Sequence, residues 1–217
     1  MPSTASPKLK RRSLFDDERA GSIYLTAAQL IYEKGFDATS MSDIAEALEM
    51  TKPGLYYYVK GKKELLQAIM GFAMDLLDEE VVEPARRITD PEERLRAILR
   101  GHARLLTREE REARALAILI DEVDGLGAEE REEIIGRKRS YFHLLRQTLD
   151  ELRAEHKLLP VDTTVAAFSL LGMVMWVSRW YRPGGRLTSE DVVSNITEIA
   201  AGVILQKAPQ ASFPRPI

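Results

Sequence analysis

Between Thr51 and Lys63 the chain sets three consecutive tyrosines, Tyr56, Tyr57 and Tyr58, among four lysines, Lys52, Lys60, Lys62 and Lys63. A phenol ring can pack on sugar, its hydroxyl can donate to a phosphate oxygen, and an ammonium group neutralises phosphate charge. The mixture therefore suits a nucleic-acid backbone. Tyrosines in a row are costly to expose without a purpose; the competing reading is a helical hairpin whose tyrosines fill a small three-helix core. A second cluster, WVSRWYRPGGR from Trp176 to Arg186, sets two tryptophans four residues apart beside Arg179, Arg182 and Arg186. Flat rings there could stack an aromatic base while guanidinium groups pair with phosphates. The plainer reading is a helix end: arginines suit a carboxyl terminus, Pro183 and Gly184 stop the helix, and the tryptophans are core.

The tyrosine–lysine cluster needs a frame, and the local pattern supplies one. Ser42 precedes an apolar-periodic run and is placed to cap it, Glu46 supports the first turn, and Ile44, Ala45 and Leu48 form the buried face. Glu49 and Met50 break that helix. Thr51 caps a second one that starts near Lys52, with Pro53 in the first turn, where proline is tolerated. Leu55 and Val59 turn inward. A helix, a short break and a second helix form the layout of a DNA-reading helix-turn-helix.

Catalytic constellations are missing from the sequence. Asp121, Glu122 and Asp124 form an acidic cluster without a Glu-x-x-His partner, and His102, His143 and His156 do not share metal-ligand spacing. A lone histidine on an apolar face is more often a hydrogen-bonded core residue. There is no phosphate-binding loop of Walker spacing, no dinucleotide fingerprint and no nucleophile elbow. The sequence thus predicts neither an enzyme, nor a cofactor, nor a metal site. With no cysteine, disulfides and thiolate sites are unavailable, which is compatible with a cytoplasmic location. Residues 1–19 are polar and basic, without the apolar stretch of a secretory signal, and Val165 to Val177 is too short to span a membrane.

The formal charge is −3, from 31 basic and 34 acidic side chains, so DNA attraction must come from local patches. Lys8, Lys10, Arg11 and Arg12 form one, either a DNA-contacting arm or a solubilising tail. With 45% apolar residues the chain has enough material for a sizeable core. Helical periodicity dominates. Ile23, Ala27, Leu30 and Ile31 make a stripe ending at Gly35, and Glu64 to about Val82 carries Leu65, Ile69, Phe72 and Leu76. Asp90-Pro91 opens a helix to about Leu106 with Leu95, Ile98, Leu99 and His102 on one face. Thr107 should cap the next, with Leu116, Leu119, Ile120 and Val123 inward. A long helix follows the Gly125–Gly127 turn to about His156, and the last two span about Asp162 to Tyr181 and Ser189 to Leu205.

The Asp162–Tyr181 segment is apolar nearly all round, through Val165, Phe168, Leu170, Leu171, Met173, Val174, Met175 and Val177. The last helix carries two apolar stripes. Together they predict a four-helix homodimer interface, with Val174 and Ile196 in the seam and Gly172 and Gly202 permitting close approach. An effector pocket would lie inside the body, among Leu95, Leu99, His102, Leu116, Leu119, Ile120, Tyr141, Phe142, Phe168 and Met175.

The stretch TSMSDIAEALEMTKPGLYYYVKGKKELL closely resembles the DNA-binding signature of the TetR family of bacterial transcriptional repressors. That resemblance implies an all-α fold. A flexible basic arm (1–15) and a helix-turn-helix domain (16–62) would precede a helical ligand-binding and dimerisation domain (63–206) and a disordered tail (207–217). By the same resemblance, Ser42, Lys52, Pro53, Gly54 and Tyr56 fall where bases are met, and Thr39, Thr51, Tyr57, Tyr58 and Lys62 where phosphates are held. Lys52, able to reach guanine O6 and N7, is the better discriminator. The WYRPGG string resembles a segment of TetR regulators that sense acyl-coenzyme A thioesters of lipid or sterol breakdown. It implies a ligand site of Trp176, Arg179, Trp180, Arg182 and Arg186 with Phe142 and Phe168. The expected function is a dimeric repressor released from a palindromic operator by an acyl-CoA. A neutral hydrophobic effector and, more remotely, a helical protein-binding adaptor remain open on the residues alone.

Overall fold

A computed structural model of the chain describes residues 18–108 and 125–206. The basic arm, the acidic cluster around Asp121, the helix expected after Thr107 and the tail from Lys207 lie outside the described residues. Among the described residues the regular structure is helical, apart from a single antiparallel bridge between Leu158 and Leu205.

Three short elements make the head: α1 (Glu18–Lys34), α2 (Met41–Ala47) and α3 (Lys52–Tyr58). Ile23, Ala27, Ile31, Ile44, Leu55 and Val59 are buried together with Leu65 and Leu66 of the following helix, so the head core closes only when that helix packs beneath it. Gly35, at φ 85°, ends α1 in the left-handed conformation that glycine adopts without a Cβ clash. The α2 cap is Ser40, which differs from the expected Ser42. Ser40 Oγ accepts from Asp43 N, and Asp43 reaches back to Ser40 N, a reciprocal capping box. Ser42 lies inside the first turn and is exposed. Thr51 caps α3 by accepting from Gly54 N at 3.2 Å. Between the two helices Glu49 takes φ 52°, a strained value for a residue with a side chain.

Helix α4 (Lys62–Leu77) leaves the head and enters the body, buried along nearly its whole length. It continues through one π-turn, Asp78–Val82, into the short α5 (Glu83–Arg86). Helix α6 (Pro91–Leu106) is capped by Asp90 and faces the core through Leu95, Ile98, Leu99 and His102. Thr107 ends α6; its hydroxyl donates to Ala103 O at 3.1 Å and shares a hydrogen bond with Ser189 at 2.6 Å. The long α7 (Ala128–Ala154), α8 (Thr163–Met175), the one-turn α9 (Val177–Trp180) and α10 (Ser189–Ile204) complete the bundle.

Ion pairs stitch these helices together. Arg94 meets Glu151 at 2.7 Å, Arg96 meets Glu198 at 2.7 Å, and Arg137 of α7 meets Asp75 and Asp78 at 2.7 and 2.6 Å. The helix expected to run from Asp162 to Tyr181 is interrupted at Trp176, which ends α8 and begins α9. Val174, expected in the dimer seam, is instead buried within its own chain. The exposed large apolar residues are Val165, Phe168, Trp176 and Trp180 on this segment and Ile199 and Val203 on α10.

Candidate nucleic-acid interface and ligand cavity

One surface of the head gathers the residues expected to meet DNA. Ser42, Thr51, Lys52, Pro53, Tyr56, Tyr57 and Tyr58 are exposed, Tyr57 most of all at 86%, while Leu55 and Val59 hold α3 to the core beneath them. The rings of Tyr57 and Tyr58 meet edge to face, 5.2 Å apart, which fixes their directions on the surface. Gly54 is half-buried behind Thr51: an added Cβ would lie 3.1 Å from Thr51 Oγ1, so a larger residue there would strain the cap. Lys60 and Lys63 stay exposed at the same edge.

Two residues expected to hold phosphates are placed differently. Thr39 is only 1% exposed, and its hydroxyl donates to Gly35 O at 2.8 Å and Leu30 O at 3.2 Å. Lys62 Nζ donates to Phe36 O at 2.7 Å, Thr39 O at 2.8 Å and Asp37 O at 3.4 Å, and sits 4.3 Å above the Phe36 ring. With three carbonyls and an aromatic face around it, this ammonium group holds the α1–α2 loop against α4.

The body holds an open-mouthed cavity of about 480 Å³ between α4, α6, α7 and α8. Met74, Leu77, Phe142, Phe168, Leu171 and Met175 give it apolar walls, and Lys138, Arg139, Tyr141 and His102 supply its polar groups. The Phe142 and Phe168 rings are 4.6 Å apart. His102 Nδ1 and the Tyr141 hydroxyl are 2.9 Å apart and buried. Burial pushes the imidazole down to about 4 and the phenol well above its ordinary value, because each charged form would be desolvated.

The Trp176–Arg186 cluster is brought together only in part. Trp180, Arg182 and Arg186 border a separate, shallow hollow of about 190 Å³ with Tyr181, Gly185 and Leu187, while Trp176 is exposed on α8 and Arg182 donates to Tyr181 O at 2.8 Å. Arg179 lies 5.9 Å over the Tyr32 ring, and the Tyr32 hydroxyl donates to Ser178 O at 3.2 Å, so this segment touches α1 of the head.

Residues 23–69 match the model of the bacterial regulatory proteins of the tetR family, and residues 89–204 match the tetracyclin repressor-like C-terminal domain. The chain belongs to the TetR family. It is thus a DNA-binding transcriptional regulator, built from the helix-turn-helix head and the helical body described above. It is 30% identical over 178 residues to the HTH-type transcriptional repressor KstR2 of Rhodococcus jostii strain RHA1, covering 80% of this chain and 84% of that one. The solved structure of AibR in complex with isovaleryl coenzyme A and operator DNA is 40% identical. It covers 84% of this chain and 97% of that chain, with a TM-score of 0.72. KstR2 of Mycobacterium tuberculosis, at 22% identity and a TM-score of 0.78, shares the fold.

Sequence reasoning anticipated five of the cavity's residues, His102, Tyr141, Phe142, Phe168 and Met175, from their apolar stripes. Leu95 and Leu99 are core rather than wall. Met74, Leu77, Lys138, Arg139, Leu171 and Gly172 were missed. Lys138 precedes Tyr141 and Phe142 by one helical turn, and that spacing was the available signal. Among the described residues no helix is long and apolar enough to cross a membrane, and no group of three acidic, histidine or cysteine side chains is arranged to hold a metal ion.

Proposed function

We propose that this protein is a homodimeric transcriptional repressor that leaves a palindromic operator when an acyl-coenzyme A thioester enters its body. The observation that carries the reading is the cavity, apolar along one part of its wall and bordered by Lys138 and Arg139. Its 480 Å³ lies within the range of small-molecule sites. Met74, Leu77, Phe142 and Phe168 suit an aliphatic chain. Phosphates cannot follow the chain between such walls, because burying them there is prohibitive. The charged part of the ligand therefore stays at the cationic border, with the Arg182–Arg186 hollow five residues beyond the wall residue Met175 at its nearest member, Trp180. The AibR complex with isovaleryl coenzyme A and operator DNA supports the same class of effector.

In this reading the head meets bases through Ser42, Lys52, Pro53 and Tyr56, with Gly54 permitting close approach, and meets phosphate through Thr51, Tyr57 and Tyr58. A second copy covers Val165, Phe168, Trp176, Ile199 and Val203, so that two heads face adjacent major grooves. Phe168, 63% exposed, also lines the cavity, which gives the dimer and the ligand a common wall. Titrating a fluorescent operator complex with acyl-CoAs of graded chain length tests the effector. Release by a thioester, and not by the free acid or by coenzyme A alone, is expected; better release by a neutral aromatic compound would refute the reading. Phe168→Asp should convert the dimer to monomers in sedimentation.

A further inference from the structure

The polar content of the cavity wall away from its cations is one pair, His102 of α6 and Tyr141 of α7. Their rings meet edge on with centroids 5.6 Å apart, and both are neutral because burial opposes either charge. A neutral imidazole carries one N–H. A phenol O–H is a stronger donor than a neutral imidazole N–H, and an imidazole nitrogen is a better acceptor than a phenol oxygen, so the Tyr141 hydroxyl donates to Nδ1 and the ring proton sits on Nε2. The ring edge bearing Nε2 is not sealed from solvent, and His102 lines the cavity, so this is the edge it offers there. Among the described residues nothing accepts a hydrogen bond from it.

We infer that His102 selects the ligand by donating its Nε2–H to a carbonyl oxygen set between an apolar chain and a charged arm. The inference rests on the acyl-CoA reading and goes further, since it assigns the thioester carbonyl to one atom of the protein. A thioester supplies that acceptor where the acyl chain, against Met74, Leu77 and Phe168, joins the arm that leaves past Lys138 and Arg139. Tyr141 is a positioning residue: its hydroxyl fixes both the tautomer and the direction of the ring. A ligand with the same chain and arm but no carbonyl would bury the donor unsatisfied.

Calorimetry on the full-length protein with hexanoyl-CoA and S-hexyl-CoA, which has a methylene in place of the carbonyl, tests the assignment. The wild type should prefer the thioester by about tenfold, the usual range for one buried hydrogen bond left unmade. His102→Phe should bring the two affinities within about twofold of each other, and His102→Gln, which retains an N–H donor, should keep part of the preference. His102→Met carries the same expectation as the phenylalanine variant and keeps the test open if the larger ring does not fit. A folded His102→Phe or His102→Met protein with the full thioester preference, or a wild type that binds both compounds alike, would overturn the role of His102 alone. A wild type that binds neither compound would overturn the acyl-CoA reading with it.

Discussion

Replacing Lys62 by methionine separates two roles for this side chain, a phosphate contact and an internal brace. Two of its three carbonyl contacts, at 2.7 and 2.8 Å, have the length of strong charge-assisted bonds, and the third, at 3.4 Å, is weak. Taking the low end of about 1.5 kcal/mol for each good bond, because the residue is only half-buried, gives about 3 kcal/mol. The ring contact at 4.3 Å adds about 0.5 kcal/mol. The cost of ordering the side chain is about the same for methionine and cancels. The loss on Lys62→Met is therefore about 3.5 kcal/mol, or about 10 °C in melting temperature for a chain of this size. Methionine keeps the stem, so packing on Phe36 is spared and the charge is what is tested.

The brace predicts lower thermal stability, faster amide exchange in α1 and α2, and an unchanged slope of log affinity against log salt, because no counterion-releasing contact is lost. A phosphate contact predicts the converse, a slope reduced by about one with the melting temperature intact. Differential scanning fluorimetry and operator binding at several salt concentrations measure both. A Lys62→Met protein that melts like the wild type and loses about one unit of salt slope would refute the brace and restore the role that the sequence resemblance implied.

Further outcomes follow from contacts between head and body. Tyr32→Phe removes the hydrogen bond to Ser178 O and should leave ligand-free operator affinity nearly intact while lowering ligand-dependent release by about two- to fivefold, read in a linked titration of operator and effector. An added Cβ at Gly125 would lie 2.7 Å from both Leu66 Cδ2 and Phe36 Cδ1, so Gly125→Val should tilt the head. Overpacking of about 1–3 kcal/mol, partly relieved by that tilt, predicts operator affinity reduced at least about fivefold with little change in body helicity by circular dichroism. Glu49→Gly removes a side chain held at φ 52° and, after glycine's entropic penalty, should raise head stability by about 0.5–1 kcal/mol in denaturant melts.

What the sequence made legible follows the range of the interactions. The Thr51 cap, Pro53 in the first turn and the inward pair Leu55 and Val59 are all decided within one or two helical turns, and periodicity reads such short-range order directly. The α2 cap was misplaced by two residues because Ser40 and Ser42 both precede the apolar run. Asp43, three residues after Ser40, completes the reciprocal cap that distinguishes them. Thr39 and Lys62 could not be placed this way. Lys62 meets Phe36 and Thr39 across 26 and 23 residues, and no local pattern records that approach. The break at Trp176 was hidden by the continuous apolar run Met173–Val177 on either side of it. Lys138 and Arg139 were hidden by the opposite cause, a charged stretch that reads as a solvated helix face.

The arrangement of α4 explains how a ligand in the body could bias the head. At one end Lys62 grips the α1–α2 loop; at the other, twelve residues along, Met74 and Leu77 line the cavity. A helix spans that distance, about 18 Å, as a stiff element, so displacement at the cavity reaches the head without needing to be relayed side chain by side chain. Asp75 and Asp78 tie the same end to Arg137, the neighbour of Lys138 and Arg139 on α7. A ligand that moves α7 outward must carry the α4 end with it or break a largely buried ion pair, and breaking such a pair is the costlier choice. The π-turn at Asp78–Val82 directly follows this anchor, and there a local change of helical register can absorb the movement on the body side. Release of DNA then requires only that the ligand bind the displaced arrangement more tightly than the resting one; moving the balance from almost all bound to almost all free takes about 5.5 kcal/mol of such preference. Under the proposed acyl-CoA reading, a cavity closed around an acyl chain, with its carbonyl held and its charged arm paired, would supply several independent contacts through which that preference can arise.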